Sequence, residues 1–137
     1  MDRTKPILIA EDDPDDRYLL SKSFDEIMQP DKLHFVYNGL EVFNYLDGIP
    51  NDSELPGLIV LDINMPLLDG ITALKILKKN PRYKHIPALM LTTSANPNEK
   101  ERCMEIGAAD YIIKPYSYAE AKIAARLLNS FVGLKLQ

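Results

Sequence analysis

The sequence predicts an α/β fold in which helices cover both sides of a parallel β-sheet. Five short apolar runs alternate with five amphipathic, helix-like segments along the 137 residues. Three of these runs, at 7–10, 58–61 and 88–91, are apolar throughout, which is typical of strands that are buried on both faces. Right-handed crossovers between such strands produce a doubly wound sheet.

Two further strands complete the predicted sheet, at 33–37 and 111–113. The run at 33–37 alternates more in polarity and contains His34, so it suits an edge position. We therefore expect the flavodoxin-like strand order 2-1-3-4-5, with five helices.

The five helices are expected at 14–28, 40–46, 71–79, 99–106 and 117–131. Pro14 suits a first helical turn, where its missing N–H is no loss, and Gly107 suits the end of the fourth helix. The apolar faces of the first three helices are expected to contain Leu20, Phe24, Ile27 and Met28, then Leu40, Phe43 and Leu46, and then Leu74 and Leu77. The longest predicted loop is 51–57.

Composition and charge exclude several classes of protein. The chain is 46% hydrophobic and 26% charged, and its net charge of −4 argues against a general surface for nucleic acid or anionic membranes. It has no signal-peptide core and no apolar run near the ~20 residues of a membrane span, so we expect a cytoplasmic protein. The single cysteine, Cys103, is expected to pack in the core, and His34 and His85 to lie at the surface or a sheet edge.

Reactive side chains follow the predicted strands at the points where the strands end. Asp62 follows 58–61, and Glu11, Asp12 and Asp13 follow 7–10. Ligands of open parallel sheets gather at these carboxyl ends, and Mg²⁺ prefers carboxylate and carbonyl oxygens. Asp12, Asp62 and the Asn64 carbonyl would supply such a site. The alternative is a solvated acidic loop that benefits from the next helix dipole.

The two remaining strand ends carry Thr92 and Lys114. Thr92 would bring a hydroxyl to a phosphoryl oxygen, although polar residues here also suit a turn and a helix cap. Lys114 precedes Pro115, which restricts its backbone, and a fixed lysine can pair with carboxylates and neutralise phosphoryl charge. The four strand ends together predict a site that takes a phosphoryl group onto an aspartate.

These residues resemble the receiver domain of two-component response regulators, over residues 5 to about 131. The positions that carry the resemblance are Glu11, Asp12, Asp13, Asp62, Ile63, Asn64, Met65, Pro66, Asp69, Gly70, Thr92, Gly107, Ala108, Tyr111, Lys114 and Pro115. The acidic stretch 11–17 and the long loop before the third strand also resemble single-domain receivers that serve bacterial phytochrome kinases. The resemblance implies one receiver domain over residues 1–137, without an output domain.

The resemblance also implies a role for each residue. Asp62 would accept a phosphoryl group from a sensor histidine kinase or a phosphotransfer protein, with Mg²⁺ held by Asp12, Asp62, the Asn64 carbonyl and, through water, Glu11. Lys114 would neutralise phosphoryl charge. Thr92 and Tyr111 would switch together, although Tyr111 also suits a half-buried strand position without a switch.

Output would then pass through the face formed by helix four, strand five and helix five. It would reach an unidentified protein target, or a second copy of the chain through residues such as Tyr116, Tyr118 and Phe131. We expect neither DNA binding nor membrane binding. We also expect no enzymatic activity beyond self-phosphorylation and slow autodephosphorylation. Asn64, Thr93 and Ser94 flank the path of an attacking water without offering an acid or base.

Three alternatives compete with this interpretation. A haloacid-dehalogenase-type phosphatase would need a second aspartate two residues after the first, where this chain has Asn64. A nucleotide- or flavin-binding module would need a glycine-rich loop after the first strand, where the sequence is acidic. A degenerate receiver would act as a constitutive interaction module.

Overall fold

The structure is a computed structural model that describes residues 5–27, 30–93 and 95–132. The strands are β1 (Ile7–Ala10), β2 (Leu33–Val36), β3 (Leu58–Asp62), β4 (Ala88–Thr92) and β5 (Asp110–Ile113). The helices are α1 (Pro14–Ser23), α2 (Gly39–Asp47), α3 (Gly70–Lys79), α4 (Pro97–Ile106) and α5 (Tyr118–Ser130). All strand pairs are parallel, in the order β2-β1-β3-β4-β5, so the predicted fold and the edge position of β2 are confirmed.

The sheet is buried on both sides, as the apolar runs predicted. Side chains of β1, β3 and β4 alternate between two core clusters. One cluster packs against α2, α3 and α4 and includes Leu61, Leu74 and Leu77; the other packs against α1 and α5 and includes Leu20 and Leu128. Because the central strands are fixed from both sides, their carboxyl ends hold a defined position.

The first helix is shorter than predicted, since it ends at Ser23 and is followed by turns through residue 27. Ser23 Oγ donates to the Leu20 carbonyl at 2.6 Å, a local bond that competes with continuation of a helix. Leu20 and Phe24 are buried as predicted, and Ile27 packs against the same cluster. Met28 lies outside the described residues.

The apolar face of α2 also differs from the prediction. Leu40 is 48% exposed, whereas Val42 and Leu46 are buried and Phe43 is partly buried. Gly39 sets this rotation of the helix, because a Cβ on Gly39 would lie only 2.2 Å from the Leu68 carbonyl oxygen. The helix therefore turns its glycine, and not Leu40, toward the loop after β3.

The predictions for isolated residues are confirmed. Cys103 is fully buried, and His34 and His85 are exposed. Within the described residues, no helix is long and apolar enough to cross a lipid bilayer.

A polar cluster joins two loops at the amino ends of the strands, whereas the acidic residues lie at the carboxyl ends. Arg82, in the connection between α3 and β4, donates to Asp52 Oδ1 at 2.7 Å and to the Ile49 carbonyl. The hydroxyl of buried Tyr83 donates to Asp47 on α2. These bonds join the connection between α3 and β4 to α2 and to the connection between α2 and β3.

Candidate functional site

Three carboxylates meet where β1 and β3 end. Glu11, Asp12 and Asp62 each place a ligand oxygen within 4.8 Å of the others. Glu11 and Asp62 are buried, whereas Asp12 is exposed at the mouth of the cluster. Backbone hydrogen bonds just beyond the strand ends position Glu11 and Asp62. Glu11 N–H donates to the Val36 carbonyl, and Ile63 N–H donates to the Leu91 carbonyl, both at 3.0 Å.

Lys114 reaches this cluster from the end of β5. Its Nζ lies 2.8 Å from Glu11 Oε1, 3.0 Å from Asp62 Oδ2 and 3.1 Å from Asp16 Oδ2. The contact with Glu11 is an ion pair without the alignment of a hydrogen bond, whereas Asp62 and Asp16 accept hydrogen bonds. The Lys114 backbone N–H donates to the Thr92 carbonyl at 2.7 Å, which anchors the lysine to β4.

Burial and charge act in opposite directions on these groups. Burial raises the pKa of Glu11 to about 8, although its contact with Lys114 favours the ionised form. Burial alone would lower the pKa of Lys114, but its contacts with Glu11, Asp62 and Asp16 outweigh that effect and hold the pKa above its usual value. Lys114 is therefore a fixed positive charge among carboxylates.

The loop after Asp62 wraps closely around that residue. Asn64 N–H donates to Asp62 Oδ1 at 3.2 Å, and Asp69 caps α3 by accepting from Thr72 N–H at 2.8 Å. A Cβ on Gly70 would lie only 2.3 Å from the Asp62 carbonyl oxygen, so this close approach needs glycine. Leu67 has a positive φ of 69°, in a tight turn at the rim.

Thr92 and Tyr111 lie side by side at the β4–β5 edge of the site. Both are buried, and the Tyr111 hydroxyl donates to Glu99 Oε1 on α4 at 2.6 Å. Burial raises the pKa of Tyr111 and its bond to Glu99 adds to the rise, while its interaction with Thr92 acts in the opposite direction. Tyr111 thus links the site to α4.

The structure brings together Glu11, Asp12, Asp62 and Lys114, and it places Asn64 at the rim. Two roles were missed in the sequence: Asp16 pairs with Lys114, and Asp13 caps α1 by accepting from the N–H groups of Asp15 and Asp16. Pro14 was the available signal, because a proline in the first turn places Asp16 in that same turn, beside the end of β1. Ser94 lies outside the described residues.

The donor set fits a hard divalent cation. Glu11, Asp12 and Asp62 offer oxygen atoms only, and Asp16 adds a fourth carboxylate, against the single ammonium of Lys114. Asp12 is exposed, so a cation that keeps several water ligands has room at this mouth.

Comparison with known proteins identifies the family. The sequence matches the response regulator receiver domain over residues 7–127. The chain belongs to this family. The phosphorylated cyanobacterial phytochrome response regulator RcpA has a similar structure, with a TM-score of 0.81, 27% identity and 94% of each chain covered. The Mn²⁺-bound form of response regulator Rcp1 gives a TM-score of 0.75 at 28% identity, with 93% of each chain covered.

One curated relative is a much longer protein than this chain. A probable cyclic di-GMP phosphodiesterase from Vibrio cholerae is 33% identical over 111 residues, which are 81% of this chain but only 23% of that protein. The receiver thus spans about a quarter of that relative. The family assignment confirms the resemblance and the predicted fold, and it favours a phosphoacceptor receiver over the phosphatase and nucleotide-binding alternatives.

Proposed function

We propose that Asp62 is the phosphoacceptor of this receiver and that it takes a phosphoryl group from a phosphohistidine. The observation that carries the proposal is the buried contact of Asp62 Oδ2 with Lys114 Nζ at 3.0 Å, beside two further carboxylates. A carboxylate oxygen would attack phosphorus, the phosphorus–nitrogen bond would break, and the imidazole would leave with the bonding electron pair.

Lys114 neutralises charge during this transfer. Its ammonium group already bonds the nucleophile, so it needs little movement to reach an oxygen of the arriving phosphoryl group. Pairing with Glu11 and Asp16 keeps the ammonium at the pocket when Asp62 becomes esterified. Asn64 N–H orients the other Asp62 oxygen.

Mg²⁺ is the cofactor that this donor set suits best. Asp12, Asp62 and the Asn64 carbonyl would hold the ion, with Glu11 contributing through a bound water. The ion would supply electrostatic neutralisation of the phosphoryl oxygens. The carboxylate cluster supports this assignment, and so does the Mn²⁺-bound form of the similar regulator Rcp1.

Phosphorylation would change the face formed by α4, β5 and α5. Thr92 would swing toward a phosphoryl oxygen, and Tyr111, which is already buried, would follow into the space vacated near β4, so that its bond to Glu99 carries the change to α4. Phosphorylation then shifts the equilibrium between the two arrangements of this face only by the difference in free energy with which the phosphoryl group stabilises each of them. Exposed apolar residues on this face, which include Ile113, Tyr116, Tyr118 and Ile123, suit contact with a target protein or with a second copy of the chain. Phe131, which was predicted for the same contact, instead packs against the core cluster that contains Leu20 and Leu128.

The remaining assignments rest on the family. The phosphodonor would be a sensor histidine kinase or a phosphotransfer protein, and residues 1–137 would act as one receiver domain in the cytoplasm. The chain would catalyse only its own phosphotransfer and a slow autodephosphorylation. Asn64 and Thr93 offer no general base for that hydrolysis.

Incubation with acetyl phosphate and Mg²⁺ tests the proposal. Intact-mass spectrometry should show the gain of one phosphoryl group in the wild type and none in Asp62→Asn. Asp13→Asn is the matched control, because asparagine also caps a helix and Asp13 lies outside the cluster. It should be phosphorylated normally.

The same samples separate the alternatives. Absence of a mass gain in the wild type would favour a constitutive interaction module. Sustained turnover of a chromogenic phosphate ester would favour a phosphatase. Equal labelling of Asp62→Asn and the wild type would assign the acceptor to another residue.

A further inference from the structure

Tyr116 makes an unusual contact for an exposed residue. It lies in the connection between β5 and α5 and is 75% exposed, yet its hydroxyl donates to the Thr93 carbonyl at 2.8 Å. The bond spans 23 residues of sequence and joins the two loops that flank the Thr92 side of the pocket. An exposed tyrosine does not need such a partner, since water would satisfy its hydroxyl.

The first turn of α5 fixes the other end of Tyr116. Its backbone N–H donates to Glu120 Oε1 at 2.8 Å, and the Glu120 N–H donates in turn to Ser117 Oγ at 3.1 Å. Ser117 is the N-cap of α5, and the Glu120 side chain reaches back to the residue before that cap, so the tyrosine backbone is held against the first turn of α5. The ring therefore acts as a short strut from α5 to the loop after β4.

The strut continues the pairing of β4 and β5 beyond the sheet. The backbone bond from Lys114 N–H to the Thr92 carbonyl joins the two strand ends at 2.7 Å. The bond from Tyr116 to Thr93 lies one residue further along β4 and two residues beyond the lysine. Two consecutive carbonyls of the β4 end are thus held from the β5 side.

We propose that Tyr116 is a positioning residue for phosphoryl transfer, which acts through Thr93 to fix Thr92 relative to Lys114. The inference rests on the proposed function, in which the Thr92 hydroxyl and the Lys114 ammonium bind oxygens of one phosphoryl group. Both side chains must reach that group at the same time, so freedom in the loop after Thr92 lowers the fraction of molecules with the productive geometry.

Tyr116→Phe tests this role because it removes one oxygen atom and keeps the ring. A neutral hydrogen bond contributes about 1 kcal/mol, which corresponds to a loss of about fivefold in the phosphorylation rate constant at saturating acetyl phosphate and Mg²⁺. The matched control is Tyr18→Phe, which removes the hydroxyl of an exposed tyrosine on α1. This control should retain the wild-type rate.

Two further measurements separate positioning from general structure. The Mg²⁺ affinity of Tyr116→Phe should match that of the wild type, because Tyr116 is no part of the carboxylate cluster, and its melting temperature should fall by no more than the few degrees that the loss of one exposed hydrogen bond produces. The loss should lie in the maximal rate and not in the acetyl phosphate concentration that gives half of that rate.

The possible results point to different conclusions. A Tyr116→Phe rate equal to that of Tyr18→Phe overturns the positioning role while leaving the phosphoacceptor assignment intact. A fall in Mg²⁺ affinity that parallels the fall in rate, or a melting temperature lower by much more than a few degrees, also overturns it, in favour of a general structural role. A wild type that gains no phosphoryl group overturns the proposed function itself, and this inference with it.

Discussion

Replacement of Lys114 with methionine tests whether one ammonium group neutralises the acidic pocket. The Lys114 Nζ lies within 3.1 Å of Glu11, Asp16 and Asp62. At an effective dielectric constant of about 20, each such pair of unit charges attracts by roughly 5 kcal/mol. Desolvation offsets most of this attraction, and removal of one partner from a buried ion pair destabilises proteins by about 3 to 5 kcal/mol. We expect the lower end of that range for metal-free Lys114→Met, since Glu11, whose pKa is about 8, already keeps its proton at neutral pH and so contributes little to the attraction.

Added Mg²⁺ should restore part of the lost stability. The dication neutralises the same carboxylates, so Lys114→Met should bind it more tightly than the wild type does and gain more unfolding free energy from it. Urea unfolding with and without Mg²⁺ measures both effects. Phosphorylation by acetyl phosphate should nevertheless fall, because the ammonium that meets the phosphoryl group is absent.

The control for this experiment is Lys22→Met. Lys22 pairs with Asp25 at 3.6 Å on the surface, with both side chains more than half exposed, so its replacement should change stability by about 0.5 kcal/mol or less. An equal loss in both methionine variants would refute the argument. So would an equal gain from Mg²⁺ in the wild type and in Lys114→Met.

Three further predictions follow from other residues. Between pH 5 and 8 the metal-free protein should lose stability as pH rises, because folded Glu11 keeps a proton up to a pKa of about 8, well above the ordinary 4.5. Urea titrations should show that the unfolding free energy of Glu11→Gln depends less on pH than that of the wild type. Gly39→Ala should displace Leu68, which lies in the loop that follows Asp62, and should therefore weaken Mg²⁺ binding as measured by calorimetry. Gly48→Ala should leave Mg²⁺ binding unchanged, because its Cβ would meet no atom closer than 3.4 Å. Tyr83→Phe removes the hydroxyl that donates to Asp47 on α2, so it should lower the unfolding free energy by about 1 kcal/mol. An unchanged midpoint of urea unfolding would contradict this.

The sequence predicted that the side chains of Asp62, Thr92 and Lys114 lie at one edge of the sheet, because strand ends are readable from apolar runs. Asp62 and Thr92 follow such runs directly, and parallel strands bring their carboxyl ends to one edge. The same reasoning could not orient helices about their axes. Leu40 was therefore assigned to the core, and Asp16 was not recognised as a partner of Lys114. Both errors depend on contacts between elements, here the approach of Gly39 to Leu68 and of α1 to β5.

The end of the first helix shows a second limit of periodicity. Apolar spacing continued to residue 28, but the Ser23 side chain bonds the Leu20 carbonyl and turns follow. Phe24 is buried although it lies in a turn, so the hydrophobic pattern alone does not distinguish a helix from a pair of turns.

The positive φ of Leu67 has a consequence for how the receiver moves. A non-glycine residue in this region raises the energy of the folded loop by about 1 kcal/mol or more, and the side chain, being 74% exposed, recovers little of it by packing. Local opening releases that strain, so the loop should exchange its amide hydrogens sooner than the central strands do. We therefore expect the strand ends beneath Asp62 to stay fixed while the loop at the rim of the pocket opens first, and this loop borders the side from which a phosphodonor would approach.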